Sequence, residues 1–224
     1  MLPLHFIQTR LTRRPVLGAI GLTALLGALP AQAQTAAKPD KVSMDDLMAA
    51  NALSDVVLGG ADAKVTIVEY ASMTCTHCAR FHEEVYPALK AKYIDTNKIK
   101  FILREFPLDP LATAGFMLAR CAGSDEKRTA LVDLMFSQQK SWAFVDKPIE
   151  ALLNLSKQAG FTQEAFEACL KNQSLYEGIN KIRDRASEKF GVDATPTFYI
   201  NGQRRSGEMS IDELDKAITP LLAP

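Results

Sequence analysis

An apolar, β-branched segment, KVTIVEYAS from Lys64 to Ser72, runs within three residues into a helical pattern that opens on Cys75-Thr76-His77-Cys78. The segment is denser in apolar residues than a half-exposed strand with strict alternation, which predicts an interior strand of an α/β sheet. After it, Cys78, Phe81, Val85 and Leu89 recur at helical intervals and predict a helix to about Tyr93 with its apolar stripe on that sheet. Pro87 falls inside the run, where it lacks an amide donor and crowds the preceding turn, so the helix is expected to kink there or to end and restart. KIKFILREFPL, Lys98 to Leu108, is the next strand, closed by Pro107. Strand, helix, strand makes a βαβ unit with two parallel strands.

From Pro110 to about Lys189 the pattern becomes helical. LATAGFMLARCA, EKRTALVDLMFSQQ, PIEALLNLSKQAG and TQEAFEACLKN are separated by turn-rich joints near Gly123, Trp142 to Lys147, and Gly160 to Thr162. This interval is expected to hold four or five helices inserted between the halves of the sheet. The sheet returns at Thr197-Phe198-Tyr199-Ile200. Asn201-Gly202 is a two-residue hairpin signal, so QRRSG should lie antiparallel to that strand. A last helix starts at Ser210, with Glu213 in the capping-box position, and shows Ile211, Leu214, Ile218 and Leu221 on one face.

The first 33 residues read as a secretory signal rather than as part of the fold. Arg10, Arg13 and Arg14 precede the uncharged stretch Val16 to Leu29, and Ala31-Gln32-Ala33 supplies a small-x-small cleavage pattern. The expectation is export to the periplasm by the general route or, from Arg13-Arg14, a twin-arginine route, with an uncleaved membrane tether as the alternative. Residues 34–42 read as a mobile leader, and Ser43 caps a short helix within residues 34–55. Residues 56–109 and 190–224 are then the two parts of the sheet domain, and 110–189 the insertion. The chain has 26 basic and 26 acidic residues. Beyond residue 33 the formal charge is about −3, with the signs interspersed, which argues against nucleic acid as a partner.

Four cysteines are too few for a fold held mainly by cystines, so a pair is free for other work. At the first turn of a helix, unpaired amides and the positive end of the macrodipole stabilise a thiolate at Cys75, which marks it as a nucleophile. Cys78, one turn deeper and on the apolar stripe, is placed to attack a mixed disulfide from within. His77, when protonated, adds positive charge beside the Cys75 sulfur and makes the disulfide form more oxidising. Two other readings compete: a zinc site using Cys75, Cys78 and His82, and an inert disulfide that closes too short a ring to stabilise much. Apart from the zinc reading, His82 is treated as a surface residue. The second pair, Cys121 and Cys169, is either a staple between the first and last inserted helices or two separately buried thiols.

VTIVEYASMTCTHCARFHEEVYP, FILREFPLD and GVDATPTFYING, in that order, resemble the DsbA-like branch of the thioredoxin superfamily, over roughly Val56 to Leu222. The resemblance implies a thioredoxin fold with an inserted all-helical domain. It implies an exposed nucleophile at Cys75, a buried resolving sulfur at Cys78, and a cis proline at Pro196 packed against the pair. It also implies that the Thr195 backbone is available to an extended substrate, and that Glu69 is a buried acid assisting proton transfer from the resolving cysteine. The segment IVEY itself offers no partner to neutralise Glu69 there.

The expected activity is that of a thiol:disulfide oxidoreductase donating a disulfide to unfolded, cysteine-containing exported proteins, with no organic cofactor or metal. A quinone-linked membrane partner would reoxidise it. Thr76 stands where relatives often have proline, and Thr195 occurs in isomerases where oxidases carry valine. Disulfide isomerase or reductase activity and a non-enzymatic holdase are the alternatives. Residues 34–63 are too short and polar for the separate dimerisation domain of such isomerases, so a monomer is expected.

Overall fold

The segment Val65–Ala71 is buried at every position, as an interior strand should be. The computed structural model describes residues 38–223; the proposed signal and its cleavage site lie outside the described residues. In chain order the elements are α1 (Met44–Met48), β1 (Leu58–Gly59), β2 (Val65–Ala71) and α2 (Thr76–Arg80). A π-helical turn (Phe81–Val85), α3 (Tyr86–Leu89) and a second π-helical turn (Lys90–Ile94) lead to β3 (Ile99–Glu105). The helical portion follows as α4 (Pro110–Arg120), α5 (Asp125–Ser137), α6 (Gln139–Trp142), α7 (Pro148–Gln158), α8 (Gln163–Leu170) and α9 (Gln173–Phe190). The chain ends with β4 (Thr197–Ile200), β5 (Gln203–Ser206) and α10 (Ile211–Leu222).

The strands lie in the order β1-β3-β2-β4-β5. β2 and β3 are parallel and all other pairs antiparallel. β1 was not expected: Leu58 pairs with Phe101 and Gly59 with Lys100, so the residues shortly before β2 form a two-residue edge. Alternation along β2 divides the core. Val65 and Ile67 face a cluster with Phe81, Leu89, Phe198, Leu214 and Ile218, while Val68 and Tyr70 face Ile102, Phe190, Val192 and Tyr199. Glu69 shares the parity of Val65 and Ile67 and so points under the helix that follows β2.

Pro87 acts through the turn before it. The Tyr86 amide bonds to the Phe81 carbonyl, five residues back, so the helix widens just ahead of the residue that cannot donate. The π-helical turn leaves His82 and Phe81 buried.

The helical portion has six helices, one a single turn. α6 and α9 have no separate counterpart among the four helical segments named in the sequence; the core face of α9, Ile179, Ile182, Ala186 and Phe190, is thinly spread through a charged segment. At β4–β5, Asn201 and Gly202 take positive φ of 45° and 82°, and Ile200 pairs with Gln203 across the two-residue turn. Ser210 and Glu213 form the reciprocal capping box of α10.

The leader needs correction over the part described. Val42 is buried and its amide bonds to the Gly202 carbonyl, the Arg204 amide bonds to Asp40, and Lys41 bridges to Gln203. A Cβ at Gly202 would stand 2.3 Å from the Val42 carbonyl oxygen, so glycine serves the turn and this close approach together. No helix among the described residues is long and apolar enough to cross a membrane.

Candidate active site

Cys75 is the N-cap of α2, with an extended backbone (φ −83°, ψ 117°), so its side chain sits at the open end of the helix. Its Sγ lies 3.2 Å from the Thr195 carbonyl oxygen. Thr195-Pro196 is a cis peptide, directly ahead of β4. A protonated thiol would donate to that carbonyl. For the thiolate the neighbouring Cys78 thiol is the largest favourable influence, acting against the cost of burial, with smaller favourable influences from Thr195 and the first turn of α2. The favourable influences win, and the Cys75 pKa falls to about 5.

Cys78 differs in kind. It is fully buried, and burial first, then the hydrogen bond it gives Cys75 and the charge of Glu69, push its thiol well above the ordinary range. The two sulfurs are unbonded. One turn of helix thus sets an ionised sulfur beside a protonated one. Cys75 is less accessible than an exposed nucleophile should be, at 7%, because the Thr195 loop lies over it.

The loop between β2 and α2 is tied from three sides. Gln139, on α6, donates to the carbonyls of Met73 (2.8 Å) and Cys75 (3.0 Å). Thr74 donates to Asp109, which also caps α4, and the Leu108 amide donates to Ser72. Gln139 is 97% covered, and nothing in its local sequence separates it from Gln138; no reading of pattern would have found it.

His77 is half-exposed and pairs with Glu208, which also receives Arg80 at 3.3 Å. Its imidazole therefore faces a carboxylate from the loop after β5.

His82 is the clearest correction. Instead of lying at the surface it is buried, with its ring stacked on Phe136 at 4.4 Å and tilted against Tyr86 at 4.8 Å. Its Nε2 donates to Glu69 Oε2 at 3.0 Å, and its Nδ1 lies 3.8 Å from Asp133. Glu69 is fully buried, so the partner absent from IVEY comes from the helix above it. A side chain held between two carboxylates does not join the two sulfurs, and among the described residues no three His, Cys, Asp or Glu side chains form a metal-binding group.

Cys121 and Cys169 are joined to each other, S–S 2.10 Å, across 48 residues of chain. Cys121 is the C-cap of α4 and Cys169 lies in the last turn of α8.

A thioredoxin family model matches residues 51–219. Relatives from Rickettsia conorii and Rickettsia typhi, provisionally named protein-disulfide oxidoreductases, are 35% and 34% identical over 75% and 74% of the chain. The chain spans 61% of the length of each. The crystal structure of Wolbachia pipientis alpha-DsbA1 is similar with a TM-score of 0.74 and 28% identity, over 80% of this chain and 96% of that one. With a matched model over most of its length, and with alpha-DsbA1 similar over 80% of the chain, the chain belongs to the thioredoxin family, in its DsbA-like branch.

Proposed function

We propose that the protein is a thiol:disulfide oxidoreductase that donates the Cys75–Cys78 disulfide to cysteines of unfolded, exported proteins. The observation that carries this reading is the contrast between the two sulfurs: Cys75 at a helix N-terminus with a pKa of about 5, and Cys78 beside it well above the ordinary range. A stabilised Cys75 thiolate is a good leaving group, so the reduced form is favoured and the disulfide is oxidising. The names of the Rickettsia and Wolbachia relatives support the same chemistry.

In the proposed cycle a client thiolate attacks Cys75 Sγ of the oxidised enzyme. A client–Cys75 disulfide forms, the Cys75–Cys78 bond breaks, and Cys78 leaves and takes up a proton, aided by Glu69. A second client thiolate attacks the client's own sulfur, closing the client disulfide and releasing Cys75 as a thiolate. Two electrons pass from client to enzyme. The chain at Thr195 and Pro196 is the proposed docking edge for an extended client, and His77 adjusts the charge around Cys75. Reoxidation requires a partner, proposed as quinone-linked and membrane-bound. The protein is proposed to act in the periplasm as a monomer, without a metal or organic cofactor.

The test is oxidative refolding of a reduced, denatured client by stoichiometric oxidised protein. Client disulfides should form together with reduced Cys75 and Cys78, and Cys75→Ser should remove the reaction. Client oxidation that proceeds equally with Cys75→Ser would refute the reading.

A further inference from the structure

The buried pair Glu69–His82 does not end at His82. The far side of the imidazole faces Asp133, on α5, whose side chain is 46% exposed. The row runs from under the cysteines to solvent: Glu69 from β2, His82 from the π-helical turn, Asp133 from the helical portion. Glu69 Oε1, the oxygen not bonded to His82, is buried without a hydrogen-bond partner among the described residues, and the charge of Glu69 is felt at Cys78. We propose that His82 is a positioning residue that passes protons between buried Glu69 and surface Asp133, and thereby sets how fast Cys78 can lose or regain its proton. The proposal rests on the thiol:disulfide exchange reading and adds the route by which its buried sulfur communicates with water.

Three features suit His82 to this. Phe136, Tyr86 and Phe81 wall the ring with aromatic faces and edges, so its polar contacts are confined to its two nitrogens. Nε2 is within hydrogen-bond distance of Glu69, whereas 3.8 Å from Nδ1 to Asp133 is too long for a direct bond and leaves a gap that a small side-chain movement or a water can close. Burial disfavours the imidazolium, but Glu69 and Asp133 more than offset it and raise the His82 pKa to about 9. His82 is thus a charged donor at neutral pH with acceptors on both sides. The other titratable groups around it are Tyr86, held neutral by burial, and Arg128, Glu83 and Lys90, which line the two pockets shared by His82 and Asp133.

In the oxidising direction the route carries the Cys78 proton outward. The Cys75 thiolate of reduced protein attacks glutathione disulfide. A Cys75–glutathione bond forms, the glutathione S–S bond breaks, and one glutathione thiolate leaves. Cys78 then gives its proton to Glu69, His82 hands one on at Nδ1 toward Asp133, and the Cys78 thiolate attacks Cys75 Sγ. The Cys75–Cys78 bond forms and the second glutathione thiolate leaves, so two electrons have passed from the enzyme dithiol to glutathione disulfide.

Both stages are followed by quenched-flow mass measurement on the full chain between about pH 5 and 9. Glutamine at position 82 keeps a donor for Glu69 but cannot relay a proton. His82→Gln should leave capture at the wild-type rate, slow resolution by on the order of tenfold or more at neutral pH, and flatten its pH profile. Asp133→Asn removes an anion from beside the imidazolium. It should slow resolution less and move the inflection to lower pH. Resolution by His82→Gln with the wild-type rate and profile overturns the relay while leaving the exchange reading intact. Should that variant fail to fold, an unmoved inflection in Asp133→Asn overturns it instead. Wild-type protein that never forms the mixed disulfide overturns the exchange reading, and the relay with it.

Discussion

The two cysteine pairs sit at opposite ends of helices, and that difference separates their chemistry. Cys75 caps the N-terminus of α2, at the positive end of the helix dipole, and its thiol is the one with the lowered pKa. Cys121 caps the C-terminus of α4, and Cys169 lies in the last turn of α8, where carbonyls crowd and a thiolate is disfavoured. The first pair spans one turn and constrains almost no chain. The second spans 48 residues and links two helices of the insertion. Position on the helix suits Cys75 to the proposed exchange, and sequence separation suits Cys121–Cys169 to a stabilising bond.

The strongest challenge to that contrast is to delete one pair at a time. Cys75→Ser should cost client oxidation more than about a hundredfold, since without it no Cys75–Cys78 disulfide exists for the client thiolate to attack. The double variant Cys121→Ala, Cys169→Ala should keep the rate within about twofold and lose about 4 kcal/mol of unfolding free energy in the chain-entropy picture, read from denaturant melts. A double variant that loses the reaction but not stability would reverse the assignment.

A pH titration sharpens the contrast further. Alkylation of reduced protein should modify Cys75 with a half-point near pH 5, against an ordinary thiol value of 9.0. Because the folded pKa is the lower one, the ionised sulfur favours the reduced fold fully above the unfolded value. The advantage shrinks as pH falls and disappears below about 5. Melts of reduced and oxidised protein should therefore converge toward pH 5. The smallest effect belongs to Glu208→Gln, which frees His77 and Arg80 from their shared carboxylate and should lower the half-point by a few tenths of a unit at most, since the cluster is partly exposed.

What could be read in the chain was what is local. Val65–Ala71 announces a buried strand by density, Asn201-Gly202 a hairpin by backbone tolerance, and Ser210 with Glu213 a helix start by mutual bonding. Cys75 and Cys78 stand out for the same reason, as a spacing at a helix start. The partners of the site are not local. His82 resembles any helical histidine until the π-helical turn before Pro87 turns it inward onto Glu69, and Gln139 is one of two adjacent glutamines until α6 lays it beneath the carbonyls of Met73 and Cys75. β1 is too short to have a period, and in α9 the periodic apolar positions are thinly spread through a charged segment.

The sheet also explains how a protein proposed to handle unfolded chains avoids being captured by them. Open strand borders invite foreign backbone to add on and seed aggregates. Here one border is only the two residues of β1, and the other, β5, carries Arg204 and Arg205 and is partly occupied by Asp40 to Val42. Loosening that N-terminal strap would uncover backbone donors and acceptors along β5, so self-association is the failure expected of a chain shortened past Val42.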